Sequence, residues 1–440
     1  MSDPANNQSY LSVPQVDRYS DDDRYTDDER CSDDDRCSHD GKPSDDSEEG
    51  RSSMSVAMVN LVNARMPAFS LLLLPYFIQQ GGVMAVIALV FVPCVCVYTG
   101  KILIECLYDT ENHKRVRDTY KDIGEAVWPK YGGILVTVTQ VIQLVLPLCL
   151  FLHFGANALF HVVPNFPVTQ ELLTVAAALL CLPLVYLKTL ARVSWVSLTA
   201  VVFLLVALLT VLYYCGLMIE HKKWTMEELN IWNFQWVLMS LTIASVTSTH
   251  GVLPTLESTL SDRSKFNRIL GLSYALSQFT MLTFSLIAFF AFRQNLENLI
   301  TGRLVVGKLR VVMGVFLFAN AVSAYPFNAL VLFDVFKKCV IPKNPSHLWP
   351  SCNVLKAWLV LLTLIPAIAL PHLRLLVVII GSFCNITITL LLPCYFHLKL
   401  KGEHLSYCQT GINYAIIIWA LAVGVTSLIA SAKNFVEAFL

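Results

Sequence analysis

From Met66 to Gly100 the chain runs for 35 residues without one Asp, Glu, Lys or Arg. A helix crosses the hydrocarbon core of a bilayer in about 20 apolar residues, so this stretch alone is long enough for nearly two crossings. It opens a series of uncharged runs at 56–78, 82–104, 133–160, 169–187, 194–219, 234–256, 268–292, 310–334, 355–372, 375–398 and 411–434. The first two divide at Gln79-Gln80-Gly81-Gly82, a natural tight turn, and the ninth is short and interrupted by Pro366. The pattern predicts an all-α polytopic membrane protein with eleven spans.

The formal net charge of zero hides two unlike parts. Residues 1–53 carry 16 acidic and 6 basic side chains, a net of −10, and residues 54–440 carry 16 acidic and 26 basic, a net of +10. The first part is rich in Asp and Ser and poor in large aliphatic residues, so it cannot bury enough apolar surface to offset its ordering entropy. It reads as a disordered acidic tail, and 54–440 as the transmembrane domain. A six-residue unit repeats within the tail as DRYSDD from Asp17, DRYTDD from Asp23, ERCSDD from Glu29 and DRCSHD from Asp35. Ser20, Thr26 and Ser32 each have an acidic residue three positions later, the pattern acid-directed kinases prefer. They are candidate phosphorylation sites, and the tail is a candidate docking segment for kinases or trafficking adaptors. No apolar run follows the start methionine, so no cleavable signal peptide is expected.

Lys and Arg favour cytosolic connections in membrane proteins. With the tail in the cytosol, the cytosolic connections hold 17 of these residues from Lys101 onward and the opposite side holds 8. The expected orientation is a cytosolic N-terminus and, after eleven spans, a lumenal or external C-terminus. A charged fraction of 15%, against about 25% in soluble domains, also speaks against a nucleic-acid partner, which needs a concentrated basic surface. Most of the thirteen cysteines lie inside apolar runs, where a thiol behaves as a small hydrophobe. No Cys/His cluster has zinc spacing, so no metal site and no cofactor is expected.

An intramembrane enzyme needs clustered His, Asp, Glu or Cys in its spans. His153, His250 and the edge residues Glu257 and Asp334 are too sparse for that, and eleven spans exclude a seven-helix receptor, so transport is the best remaining class. Secondary transporters are often built from two repeated halves, with substrate held where the first helix of each half is broken. If spans 1–5 and 6–10 are such halves, both first helices carry breakers. Span 1 has Arg65-Met66-Pro67-Ala68-Phe69-Ser70 and then Pro75. Span 6 has Thr247-Ser248-Thr249-His250-Gly251 and then Pro254. The candidate substrate residues are therefore Arg65, Met66, Pro67, Ser70, Thr247, Ser248, Thr249 and Gly251. His250, Glu257 and Asp334 are candidate coupling groups, with a solvated cap as the ordinary role of the two acids. Arg65 is the least expected, because a charge within a span is costly and is usually paired or functional. Its candidate partners are a substrate carboxylate, Glu257 and exposed helix carbonyls.

Several strings carry a family resemblance. They include Tyr98-Thr99-Gly100-Lys101, Arg115-Val116-Arg117-Asp118-Thr119-Tyr120, Leu74-Pro75-Tyr76, Leu253-Pro254 with Leu256-Glu257, Tyr325-Pro326, Pro371-His372 with Gly381-Ser382, and Leu392-Pro393 with Phe396-His397-Leu398. In this order and spacing the chain resembles the vesicular inhibitory amino acid branch of the amino acid/auxin permease family. The resemblance implies a LeuT-type body of two inverted five-helix repeats plus one helix. It implies loading of GABA, glycine or a similar small neutral amino acid into synaptic or other intracellular vesicles, driven by a proton gradient, with chloride a further candidate ion. A plasma-membrane or lysosomal permease, and a non-transporting sensor of the same fold, are the alternatives. Two places depart from the family. Residues 65–74 hold no glycine where the family has several, and Val246-Thr247-Ser248-Thr249-His250 is less aromatic. Both bear on which amino acid fits.

Overall fold

Ser53 sets the start of the first helix: its side chain accepts from Val56 N–H as an N-cap, and α1 (Met54–Arg65) runs from there to a stop at Met66. In this computed structural model residues 52–162, 168–187, 190–219, 249–292, 308–340, 352–369 and 383–439 are described. All belong to the larger of the chain's two units, Gly41–Leu440. Ser20, Thr26 and Ser32 lie outside the described residues, as do Thr247, Ser248, Pro371-His372 and Gly381-Ser382.

Pro67 starts the next helix, α2 (Ala68–Glu105), which has 38 residues. Drawn straight it would be about 57 Å long, nearly twice the hydrocarbon thickness. It is two spans. Gly82, at φ 57° and ψ −141°, divides them in a conformation that only glycine adopts at little cost, at the last residue of the predicted turn. A short surface helix, α3 (Tyr120–Val127), follows behind a capping box formed by Thr119 and Asp122. Then come α4 (Gly132–Phe160), α5 (Gln170–Val185) and α6 (Leu190–Ile219).

The second half begins, as far as it is described, with a 3₁₀ turn at His250–Val252 leading into α7 (Leu253–Ser258). Next are α8 (Phe266–Phe292), α9 (Lys308–Val335) and α10 (Cys352–Ala369). A π turn at Thr387–Leu391 enters α11 (Leu392–Lys401), and α12 (Tyr407–Phe439) ends the series. With α2 counted twice, these helices fall on all eleven predicted spans. Seven are long and apolar enough to cross a membrane, while α5 and the described part of α10 are shorter apolar helices. Among the described residues there is no β-strand, only isolated bridges at Ser52–Leu260 and Tyr108–Arg115.

Large apolar side chains face outward along these helices; Trp195 is 73% exposed, Phe279 72% and Ile418 67%. In water such patches would drive association, whereas lipid tails solvate them. Polar side chains instead turn inward and clasp neighbouring helices. Asn60 Nδ2 donates to Ser194 Oγ (2.7 Å) and Asn320 Nδ2 to Ala200 O (2.8 Å). Tyr325 Oη lies 2.6 Å from Thr363 Oγ1, and His153 Nδ1 lies 3.1 Å from Ala367 O. Apolar packing alone gives little preference for one helix register in lipid, so these bonds help to set it. Tyr120 of α3 donates to Ile388 O within the π turn (2.7 Å), tying the surface helix to the irregular part of span 10.

Candidate functional site

Span 1 breaks at Met66-Pro67. Met66 has φ −114° and ψ 59°, and Pro67, in an extended conformation, caps α2 without a side-chain bond to its first turn. The described part of span 6 opens with the 3₁₀ turn, which Thr249 enters without a side-chain cap, at the break expected from Gly251 and Pro254. The two breaks meet. Ala64, Pro67 and Phe69 from the first, and Thr249, Gly251 and Val252 from the second, line one cavity of about 50 Å³. Span 3 closes another side with Gln143, Leu144, Pro147 and Phe151, and Asn328 and Asn385 reach it from spans 8 and 10. By volume it holds about three or four water-sized groups.

Gln143 is the polar centre of this cavity. Its Nε2 donates to Asn385 Oδ1 (2.7 Å), which fixes the amide so that Oε1 faces Gly251. A Cβ at position 251 would lie only 2.5 Å from that oxygen. One turn earlier on the same helix face, Gln140 Nε2 donates to Gly251 O (2.6 Å). Gln143 Oε1 and Thr249 Oγ1 are buried and have no hydrogen-bond partner among the described residues. A buried polar atom without a partner costs about 1–3 kcal/mol. Two of them at one cavity are acceptors awaiting a donor. No Asp, Glu, Lys, Arg or His lines the cavity among the described residues.

Of the residues expected from sequence, Pro67, Thr249 and Gly251 line the cavity. Met66 and Ser70 are buried beside the break but do not line it. Arg65 is a correction. It is fully buried, and its guanidinium lies over the ring of Tyr274 at 3.7 Å and donates to Gln278 Oε1 at 3.1 Å, both on α8. It faces span 7 and not the cavity, and the ring face with a neutral amide accommodates its charge. Glu257 is a second correction. It is no solvated cap but fully buried, and it pairs with Arg115 Nη1 at 2.7 Å, not with Arg65. Asp334 is half-buried, paired with Lys338 one turn later (3.0 Å) and accepting from Thr255 Oγ1 (3.2 Å). His250 is fully buried behind the 3₁₀ turn, with Nε2 2.9 Å from Thr99 Oγ1.

Residues 50–433 match the family described as transmembrane amino acid transporter protein. The chain belongs to that family. It is 30% identical over 401 residues to the vesicular inhibitory amino acid transporter of Xenopus laevis, which covers 86% of this chain and 76% of that one. It is 26% identical over 378 residues to the vesicular GABA transporter of Caenorhabditis elegans, covering 83% and 76%. In fold it is similar to a sodium-coupled sialic acid symporter in its substrate-bound outward-open state, with a TM-score of 0.60 over 87% and 89% of the two chains at 12% identity. The fold is thus the LeuT type, and the transporter carries an amino acid across a membrane.

Beneath the cavity, on the side where the Lys and Arg residues gather, a polar network joins three span ends. Glu257 of α7 receives Arg115 and the Tyr108 hydroxyl from the loop after span 2, with Arg263 Nε at 3.8 Å. Burial, and then the bond to Glu257, push the Tyr108 phenol up to about 12, so it remains a donor at physiological pH. Arg117 Nη1 holds Cys106 O (2.9 Å), and Lys401 of α11 holds Tyr108 O and Thr110 Oγ1 (both 2.8 Å). Ser52 joins from the N-terminal side: its N–H donates to Thr259 O (2.7 Å) and its carbonyl accepts from Ser261 N–H (3.2 Å). The arrangement latches the loop after span 2 and the start of span 1 to the end of span 6. Sequence reasoning missed Gln143, Asn385, Asn328, Tyr108 and Arg115 as site residues. For Gln143 a signal existed, since Gln140 and Gln143 share one helix face in a span without Asp, Glu, Lys or Arg.

Proposed function

We propose that this transporter moves small neutral amino acids, GABA, glycine or one of similar size, into an intracellular vesicle, using the proton electrochemical gradient. The observation that carries the reading is the cavity between the two helix breaks: small, lined by neutral groups, and holding two acceptors without donors. An amino acid brings an ammonium that can donate to Gln143 Oε1 and Thr249 Oγ1. Its carboxylate can meet the uncapped N-terminus of α2 beyond Pro67, where first-turn N–H groups and the helix dipole favour an anion. A charged substrate side chain would find no counter-ion among the described lining residues, which argues for a neutral one. The names of the relatives support a vesicular location and an inhibitory amino acid. The tail in the cytosol and the C-terminus in the lumen follow from the Lys and Arg distribution.

Uptake of labelled GABA, glycine and alanine into proteoliposomes under an imposed pH gradient tests the reading. Uptake that collapses with the gradient is the expected result. Correctly folded protein that takes up no amino acid overturns it. A tagged copy imaged beside a vesicle marker tests the location.

A further inference from the structure

The largest cavity described is not the central one. About 650 Å³ of space opens on the latch side of the protein, between the ends of spans 2 and 10 and the starts of spans 7 and 11. Six basic side chains converge on it from five elements: Lys101 of α2, His113 of the loop, Arg263 ahead of α8, His397 and Lys401 of α11, and His404 of the turn before α12.

Helix ends explain part of this. Lys401 closes α11, where a cation offsets the helix dipole, and it is already bonded to the loop. His397 lies 3.5 Å from Glu105 and bonds Asn413, and Arg263 leans toward Glu257. The side chains of Lys101, His113 and His404, however, take part in no hydrogen bond or ion pair among the described residues. The two carboxylates on the wall form no direct pair with them: Glu105 faces His397, and Asp109 accepts from Asn112 Nδ2. Donors are thus left over around a space large enough for a polar head. Part of the wall is apolar, formed by Ile104, Phe266 and Leu405, and the cavity lies level with the helix ends, at the depth of lipid headgroups.

We propose that this cavity binds a phosphate-bearing ligand, with Lys101, Arg263 and His404 as its donors. Basic pockets between transmembrane helices suit phosphorylated headgroups, because phosphate oxygens accept several charge-assisted bonds at once. The same chemistry is offered by an anionic lipid in the leaflet and by a free phosphate ester. Since the walls include Tyr108, Arg263 and Lys401, a bound phosphate stabilises the latched arrangement around Glu257.

The test uses the full chain in detergent and reads the thermal midpoint. Water-soluble dioctanoyl phosphatidylinositol bisphosphate is titrated against dioctanoyl phosphatidylcholine, and in a separate arm against inositol trisphosphate. The expected result is a rise of about 3 °C with the inositol lipid at ten times its half-saturating concentration, and none with the choline lipid. The variant Lys101→Gln/His404→Gln removes two side chains without internal partners. Its midpoint without lipid should match the parent, and its half-saturating concentration should rise at least tenfold. Half-saturation by the soluble trisphosphate at the same concentration identifies a free phosphate ester as the source. A tenfold preference for the lipid identifies the headgroup. Equal shifts with both lipids, or a shift unaltered in the variant, overturn the proposal.

Discussion

Gln143 and Gly251 act as one unit at the scale of single residues. The carboxamide oxygen sits where a methyl at position 251 would go, so the glycine is required by close approach. Gln143→Leu removes the proposed ammonium acceptor and the bond to Asn385. A hydrogen bond to a charged group is worth about 1.5–3 kcal/mol, so KM for the amino acid should rise roughly 10- to 150-fold, read in proteoliposome uptake. Gly251→Ala should do much the same by turning the amide aside. Gly251→Ala with Gln143→Ala should not be worse than either alone, because the clash is gone. Additive losses in that double variant would separate the two residues. Arg65 is expected to behave differently. Its guanidinium stacks on Tyr274 and bonds Gln278, contacts worth about 2 kcal/mol when desolvated. Arg65→Ala should therefore lower the thermal midpoint by several degrees while KM stays within about twofold; a raised KM at an unchanged midpoint would return Arg65 to the substrate site.

Among the elements, the latch makes the most direct prediction. Glu257 is buried, and Arg115 is its charge partner at 2.7 Å. Arg115→Ala leaves a buried carboxylate without its main counter-charge, which costs about 3–5 kcal/mol. Arg115→Ala with Glu257→Gln removes both charges, so its thermal midpoint should recover much of that loss; a double variant as unstable as Arg115→Ala would mean that the arginine acts through Arg117 O and Asp118 instead. The element scale also separates what could be read in the sequence from what could not. Spans were legible because runs such as Met66 to Gly100 permit little besides a membrane helix, and the turn at Gln79-Gln80-Gly81-Gly82 lay where the chain must reverse. The breaks were legible through Pro67 and Gly251, residues that disturb helices wherever they occur. The latch was not, because Arg115 and Glu257 are 142 positions apart, and no local pattern says which distant charge a buried acid will meet. Arg65 was misjudged for a related reason: its aromatic partner lies on another helix, and a ring face accommodates a cation without leaving a charge pattern in the sequence.

For the whole molecule, orientation is the property on which gradient, tail and latch all depend. In the orientation proposed from the Lys and Arg excess of 17 to 8, the latch, the 650 Å³ cavity and the start of α12 lie on the cytosolic side, and an odd number of spans sends the end of α12 to the other. Cys408 offers a probe. It is an exposed thiol in the first turn of α12, on the latch side, whereas the described cysteines within the spans are buried or, like Cys94, sit mid-helix in a membrane span. Vesicles isolated from cells present their cytosolic face outward. In such sealed vesicles a membrane-impermeant maleimide should modify Cys408 before any detergent is added, with the labelled peptide identified by mass spectrometry, and Cys408→Ser should lose that signal alone. Labelling that appears only after the membrane is permeabilised would invert the topology. The acidic tail would then face the lumen, and the cytosolic assignment of the latch and of the phosphate cavity would fall with it. The central cavity would stand, since its chemistry depends on two facing helix breaks and not on which side of the membrane each opens toward.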